Sequence, residues 1–438
     1  MDRIQIGLLG IGLVMTLIFM RVPIGVAMGL VGFGGIASLI SLSAAIGIAK
    51  AIPYRLIGDW NLSAVPMFLL MGYIASATGL TNGLFAAARI FLARVPGALA
   101  SATVVASALF ASASGSSVAT SAAFSRISIP EMLKARYDPA LATGCVASAG
   151  TLGSLIPPSI LMIVFGIMAD TSISRIFMAG VLPGLLSAAM FIGLITVRVW
   201  FNPSLAPRDE TVFTSAEKKA ALLDVWPLPV LIAGVLGGIF LGIFTATEAG
   251  AIGAMLACLI AWTRGSLTRA TFRQAVIETA EGTAAIFIIV VGAAIFARFM
   301  AYSQLPNVMA ETLIAYTDGN TLAVIIAIAV VFLVLGAILE SISIMLLTLP
   351  LLLPLLKSLD VDMIWFGILI IKLLEIGLVT PPVGMNVYVI KSALGDRIAL
   401  GTIFRGAAWF VAADLITLAL LIAFPIITLW LPNQFAVR

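Results

Sequence analysis

The sequence predicts an all-α polytopic membrane protein in which two membrane helices are interrupted and two helical hairpins enter the bilayer part-way. The first observation is composition: 62% of the residues are hydrophobic and 10% are charged, with a mean hydropathy of +1.18. Soluble domains do not have this composition. A span needs ~20 apolar residues, so the chain has room for on the order of ten spans and some shorter pieces.

The second observation is a pair of adjacent prolines that occurs twice inside apolar sequence, at Pro157-Pro158 and Pro381-Pro382. Proline removes a backbone donor and disfavours helix in the residue before it. The segments Gly150–Ser159 and Gly377–Asn386 are therefore predicted to be unwound breaks. Bare carbonyls at membrane depth are tolerated only inside protein or along a cavity, so the two breaks indicate a transporter's binding site.

The third observation is a repeat, because Pro157 and Pro381 are 224 positions apart (381 − 157). The same offset superimposes other polar or backbone-determining residues, which chance matches between apolar residues would not do. We interpret residues 63–200 and 283–438 as two copies of one unit, each with a hairpin and a broken helix. The further matched pairs are Pro158 with Pro382, Gly153 with Gly377, Asp138 with Asp362, Pro130 with Pro354, and Ser117 with Ser341.

The remaining segments are predicted to form a scaffold around the repeats. Residues 1–62 hold two apolar runs and are assigned to N-terminal scaffold helices. Residues 201–282 hold one polar loop, Phe201–Asp224, followed by connecting scaffold helices. Because that loop carries Arg208, Lys218 and Lys219, the positive-inside rule favours a cytoplasmic position for it. The net charge of +4 reflects such loops and does not indicate a nucleic-acid partner.

A hairpin is predicted in each copy. In Ala98–Phe124, glycine and serines at Ser114–Ser117 interrupt an apolar run, which favours two half-helices that meet at a tip. In the second copy, Glu340 and Ser341 interrupt the run that begins at Thr321, and the offset places them on Ser116 and Ser117. A helix that starts at such a tip offers free N–H groups and the positive end of its dipole.

Each tip and its own break are predicted to form a site for a dehydrated alkali cation. Carbonyl oxygens of unwound backbone and Ser or Thr hydroxyls supply ligands without burying a charge. Many of these residues would act through the main-chain oxygen. The first site is predicted to use Ser114, Gly115, Ser116, Gly150, Thr151 and Gly153, and the second Gly336, Ile338, Ser341, Thr380, Pro381, Gly384 and Asn386.

Four carboxylate or ammonium groups stand in apolar surroundings. For Glu340, capping of the following half-helix is favoured over direct substrate contact. Lys372 and Glu375 are three residues apart on one predicted helix and are expected to form an ion pair with a structural role. For Glu248, an interfacial or helix-N-terminal carboxylate is favoured over a proton- or ion-binding group.

The chain resembles the large membrane subunit of TRAP (tripartite ATP-independent periplasmic) transporters over nearly its whole length. The resemblance rests on Gly115–Ala123, Ile129–Met132 and the two break motifs. It implies an inverted-repeat, elevator-type fold and sodium-coupled import of organic acids across a bacterial inner membrane, with two or more Na⁺ sites at the tips and breaks. It also implies a substrate pocket near Ser116, Ser117, Glu340 and Asn386. Many family members have aspartate at the position of Glu340.

The resemblance implies two partners, a small membrane subunit and a soluble periplasmic substrate-binding protein. Dicarboxylates, keto acids, sugar acids and sialic acids all remain open as substrates. A stand-alone ion-coupled carrier of related fold is the alternative. An intramembrane enzyme is disfavoured because the chain has no histidine and no recognisable nucleophile, metal or paired-acid set. A Walker motif is also absent from the sequence, so energy must come from an ion gradient or another subunit.

Overall fold

The computed structural model describes residues 2–81, 83–207 and 213–435, and within these ranges the regular structure is helical without strands. The predicted all-α class with two hairpins and two broken helices is confirmed. Arg208 and the neighbouring centre of the predicted polar loop, residues 208–212, lie outside the described residues, as do residues 436–438.

The described chain forms 21 α-helices, numbered here in chain order. They are α1 Arg3–Phe19, α2 Ile24–Leu39, α3 Leu42–Ile57, α4 Ala64–Ala77, α5 Leu84–Leu92, α6 Ala98–Ser114, α7 Ser117–Lys134, α8 Pro139–Leu155, α9 Ile160–Met168, α10 Ile173–Phe201, α11 Ser215–Val225, α12 Pro227–Phe240, α13 Ala246–Thr263, α14 Arg269–Ser303, α15 Leu305–Tyr316, α16 Thr321–Gly336, α17 Ser341–Ser358, α18 Met363–Gly377, α19 Met385–Leu394, α20 Leu400–Ala423 and α21 Ile426–Gln434.

By length and composition, six of the described helical segments could cross a membrane, or up to eight if each bent helix pair counts as one span. The sequence allowed on the order of ten spans. The difference arises because several apolar runs, such as α1, α2, α6 and α16, form helices of 16 or 17 residues.

Two parts of the chain pass through the same order of elements, α6 to α9 and α16 to α19. Asp138 caps the N-terminus of α8 and Asp362 caps that of α18, each by accepting hydrogen bonds from backbone N–H groups. Both proline pairs contain a cis peptide bond. These paired residues, which are 224 positions apart in the sequence, therefore have the same local structure in the two copies. The outer limits of the two copies, 63–200 and 283–438, stay a prediction.

Helices approach one another closely where glycines face a neighbouring backbone, as expected for packing in a membrane. A Cβ placed on Gly292 of α14 would lie 1.9 Å from the carbonyl oxygen of Gly25 in α2. A Cβ on Gly406 of α20 would lie 1.8 Å from the carbonyl oxygen of Ala140 in α8. These two helix pairs are joined backbone to backbone, and the second pair supports the first broken helix.

Replacing Gly406 with alanine should destabilise the protein, because the added methyl group would collide with backbone that cannot rotate away. Overpacking of this kind costs about 3 kcal/mol. We expect a clear fall in the thermal unfolding midpoint of purified Gly406→Ala. The matched control is Gly401→Ala in the same helix, where nothing lies within 4 Å of the new Cβ; its midpoint should not fall. Equal midpoints for the two variants would show that the α8–α20 contact is not tight.

Candidate functional site

The first hairpin tip is a sharp turn between α6 and α7. Gly115 has φ +59°, a left-handed conformation that glycine adopts without strain. Ser116 is the N-cap of α7, and its Oγ accepts a hydrogen bond from the Ala119 N–H at 3.3 Å. The predicted tip at Ser114–Ser117 is therefore present, and α7 begins at it with its N-terminal end.

The first break is shorter than the sequence predicted. α8 continues to Leu155, so Gly150, Thr151 and Gly153 are helical, and the unwound segment is only Ile156–Ser159. The axes of α8 and α9 differ by 42°. Proline restricts the residue before it, and Ile156 is extended accordingly, whereas residues further upstream keep their helical bonds. The carbonyl oxygen of Gly153 has no helical hydrogen bond, because the residue four positions later is Pro157, which has no N–H.

The first tip lies directly against α8 and the first break. A Cβ on Gly153 would lie 3.1 Å from the carbonyl oxygen of Ser116, and one on Gly115 would lie 3.3 Å from that of Pro158. The carbonyls of Ile156 to Pro158 have no hydrogen-bond donor within the described part of the chain. A cavity of about 10 Å³ adjoins these groups and is lined by Phe68, Met71, Ala113, Ser114, Gly115, Pro158 and Ile160. This volume is close to that needed by one water molecule.

Several hydroxyls that were predicted as ligands already have local partners. Thr151 Oγ1 donates to the Ser148 carbonyl at 2.6 Å, and Thr380 Oγ1 donates to that of Ile376 at 2.7 Å. Ser114 Oγ bonds Thr120 Oγ1 at 3.2 Å. Such bonds back to nearby backbone are common for Ser and Thr in helices. Donation uses the hydroxyl proton and leaves the oxygen lone pairs of Thr151 and Thr380 available to a cation.

The second tip is capped by a carboxylate. α16 ends at Gly336 and α17 starts at Ser341, with Glu340 as its N-cap. Glu340 Oε2 accepts hydrogen bonds from Ser343 N–H at 3.2 Å and Ser343 Oγ at 3.0 Å. The capping role favoured for Glu340 is present in the structure. Among the described residues, no hydrogen bond joins Glu340 to Ser116 or Ser117.

The second break spans Leu378–Gly384, which is longer than the first break. It is shorter than the predicted segment Gly377–Asn386, since Gly377, Met385 and Asn386 are helical. The carbonyl of Leu378, the first residue of this break, accepts a hydrogen bond from the Asn386 N–H at 3.1 Å. The carbonyls from Val379 to Val383 have no donor within the described ranges. The tip contacts the break directly: Val383 N–H donates to the Ala337 carbonyl at 3.1 Å. Gly384 turns into α19 with φ +58°.

The two sites differ in their access to the surface. Pro157, Pro158 and Ser159 in the first break are buried, whereas Pro381, Pro382 and Val383 in the second are exposed. The side chain of Ile338 at the second tip is also exposed, at 40%. Only its backbone can then contribute to a site enclosed by the tip and the break.

Asn386 and Ser341 are the predicted site residues with unused side-chain oxygens. Asn386 is fully buried, and its Nδ2 donates to the Ala147 carbonyl of α8 at 3.2 Å. Its Oδ1 and the Oγ of buried Ser341 have no hydrogen-bond partner in the described chain. A buried polar oxygen without a partner is costly unless a ligand or water satisfies it. Asn386 also connects the second broken helix to the first.

The expected ion pair between Lys372 and Glu375 is wrong. Lys372 Nζ instead bonds Asp414 of α20, and donates to Ser187 Oγ of α10 at 3.0 Å. Glu375 accepts a hydrogen bond from Ser117 Oγ, which in turn lies 3.0 Å from Ser154 Oγ. The spacing of three residues places both groups on one face, but a partner from another helix competes. Asp414 is a lone acid in the last apolar run, a signal that sequence reasoning could have used.

Glu248 is the N-terminal carboxylate that the sequence indicated. It forms a capping box with Thr245, whose N–H donates to Glu248 Oε2 at 2.8 Å. No group of three or more His, Cys, Asp or Glu side chains able to hold a metal ion occurs in the residues that the structure describes. The oxygens gathered at the two sites are neutral carbonyls, hydroxyls and an amide, a donor set suited to alkali cations.

Among solved structures, the fold resembles that of the Alcanivorax borkumensis YdaH transporter, whose crystal structure is described as having an unusual topology. The TM-score is 0.62, the sequence identity is 15%, and the match covers 88% of this chain and 90% of that one. At this level of identity the likeness concerns the fold alone.

Sequence relatives give a more specific result. The chain is 34% identical to the sialic acid TRAP transporter large permease protein SiaM of Vibrio cholerae, over 86% of this chain and 88% of the relative. It is 33% identical to the C4-dicarboxylate large permease protein DctM of Pseudomonas aeruginosa, over 85% and 86%. The corresponding 2,3-diketo-L-gulonate protein YiaN of Escherichia coli is also 33% identical, over 76% and 78%.

A family model described as "Tripartite ATP-independent periplasmic transporter, DctM component" matches residues 11–427. The match includes both hairpins and both broken helices. The chain therefore belongs to the DctM-component family of TRAP transporters, as its motifs indicated.

Proposed function

We propose that this chain is the large transmembrane subunit of a sodium-coupled symporter that imports an organic acid across a bacterial inner membrane. The observation that carries the proposal is the contact of each hairpin tip with a helix break whose carbonyls lack donors. Oxygens that the chain leaves unpaired at membrane depth need a ligand or water. A sodium ion would be coordinated by these unpaired carbonyl oxygens at both breaks.

The residues fit sodium better than a divalent or transition metal. The first site offers the carbonyl of Pro158, which lines a cavity of about 10 Å³ together with Ser114 and Gly115. It also offers the nearby carbonyls of Gly153 and Ile156. The second offers the carbonyls of Val379 to Val383 and the unpartnered Oδ1 of Asn386. Neither set includes a carboxylate, so a monovalent cation can be bound and released without a large electrostatic penalty.

The substrate class is inferred from relatives and from the position of the tips. The relatives named above are described as carrying sialic acid, C4-dicarboxylates and 2,3-diketo-L-gulonate, all of which bear carboxylates. α7 and α17 begin at the two tips, so their N-terminal ends can attract an anion. We place the substrate between the tips, near Ser116, Ser117, Glu340 and Asn386, and expect an elevator-type movement to carry it across.

We also propose that the chain works with two partners, a small membrane subunit and a periplasmic binding protein that delivers the substrate. The test is uptake into proteoliposomes that contain the chain, the small subunit and the binding protein, with labelled sialic acid and a labelled C4-dicarboxylate as probes. An inward sodium gradient should raise uptake of one probe at least about tenfold over potassium, a difference of ~1.4 kcal/mol.

Three control arms define the outcome of that experiment. Omitting the binding protein or the small subunit should abolish uptake, and a sodium ionophore should collapse it. Equal uptake with and without a sodium gradient would contradict sodium coupling. Full activity of the chain alone would instead identify a stand-alone carrier.

Asn386→Ala should weaken sodium binding, because it removes the one buried side-chain amide oxygen at the second site that has no partner. We expect the sodium concentration for half-maximal uptake to rise about tenfold, equivalent to ~1.4 kcal/mol. Asn307→Ala is the matched control, since Asn307 is exposed on α15. An unchanged sodium dependence in Asn386→Ala would remove this side chain from the site.

A further inference from the structure

Three charged side chains are buried in the described part of the chain, and the proposed sodium sites use none of them. They are Lys372 and Glu375 on α18 and Asp414 on α20, with exposed fractions of 2%, 1% and 0%. α18 has no other charged residue, and the other charged residue of α20, Arg405, is exposed. Buried charges in a membrane protein are expensive and need partners.

The charges of this cluster do not balance when all three groups are ionised. Lys372 is paired with Asp414 and also donates to Ser187 Oγ. Glu375 has neutral partners only, because its Oε2 accepts from Ser117 and its Oε1 has no hydrogen-bond partner in the described residues. Two carboxylates and one ammonium group leave one negative charge without a counterion.

Among the described residues, the buried charged groups other than Glu375 are Lys372, one turn away on the same helix, and Asp414 on α20. The remaining charged side chains on the helices that pack against α18 are all partly or fully exposed. They are Arg126, Glu131 and Lys134 on α7, Arg175 and Arg198 on α10, Lys357 on α17 and Arg405 on α20. An isolated carboxylate buried in this way carries a large desolvation penalty, so the site needs a cation.

We propose that Glu375 is a proton-binding site, and that the first hairpin tip packs on its neutral form. A proton needs no coordination shell, whereas a sodium ion shared by Glu375 and Ser117 would have to lie between two groups that are directly hydrogen-bonded. With one proton bound, the remaining Lys372–Asp414 pair is balanced.

Glu375 lies where its protonation state affects the packing of the first hairpin tip. Ser117 is the first residue of α7 at the first tip, and Glu375 lies in the last turn of α18 before the second break. Loss of the proton would leave a bare charge buried against the tip, and hydrating that charge requires the tip to move away although the carboxylate accepts the Ser117 hydrogen bond more strongly. Acidity would then regulate how firmly the first tip is held against α18.

The test is infrared spectroscopy of the full chain in lipid nanodiscs, which does not depend on uptake or on sodium coupling. At neutral pH the protein should show the C=O stretching band of one protonated carboxyl group, and the band should disappear as the pH is raised. Glu375→Gln should remove it. Glu248→Gln, which alters an exposed capping carboxylate, should leave it unchanged.

Two further variants test the charge balance itself. Asp414→Asn frees Lys372 to act as the counterion of Glu375, so the band should be lost although Glu375 is still present. Replacing the pair together, as Lys372→Met with Asp414→Leu, should retain the band. A wild-type protein without the band, or a band that persists in Glu375→Gln or in Asp414→Asn, would overturn the proposal.

Discussion

The structure depends on one constraint, namely that backbone polar groups inside a membrane must find partners within the protein. The proline pairs at Pro157 and Pro381 violate this locally, because they withhold N–H groups and stop the helix. The chain responds by placing a hairpin tip against each interruption. The tip contributes further oxygens to each interruption; at the first break they lie against buried backbone, whereas Pro381, Pro382 and Val383 of the second break are exposed.

The parts of the fold that sequence predicts well are those governed by residues with special backbone properties. Proline determined the two breaks, glycine the first tip, and Asp138 and Asp362 the starts of α8 and α18. These effects act within a few residues and need no knowledge of distant neighbours. The family motifs lie in the same places, so local physics and resemblance point to one architecture.

The extent of unwinding and the roles of side chains were harder to predict. Gly150 and Gly153 suggested a long break, but helical bonds persist up to the residues that proline affects directly. The Thr151 hydroxyl donates to a carbonyl of its own helix, and the Thr380 hydroxyl donates back to Ile376 in α18. The partner of Lys372 lies on a different helix, 42 positions away, and spacing along one helix cannot reveal such a contact. The unequal exposure of the two breaks is likewise a result of tertiary packing.

Two hydrogen bonds connect the two halves of the molecule at the broken helices. Asn386, which follows the second break, donates to Ala147 in the first broken helix, while Ser117 at the first tip bonds Glu375 in the second. Moving one half without the other would break these two hydrogen bonds and leave buried polar atoms without partners. Under the proposed elevator-type movement, the two halves and the cations bound in them would therefore move together.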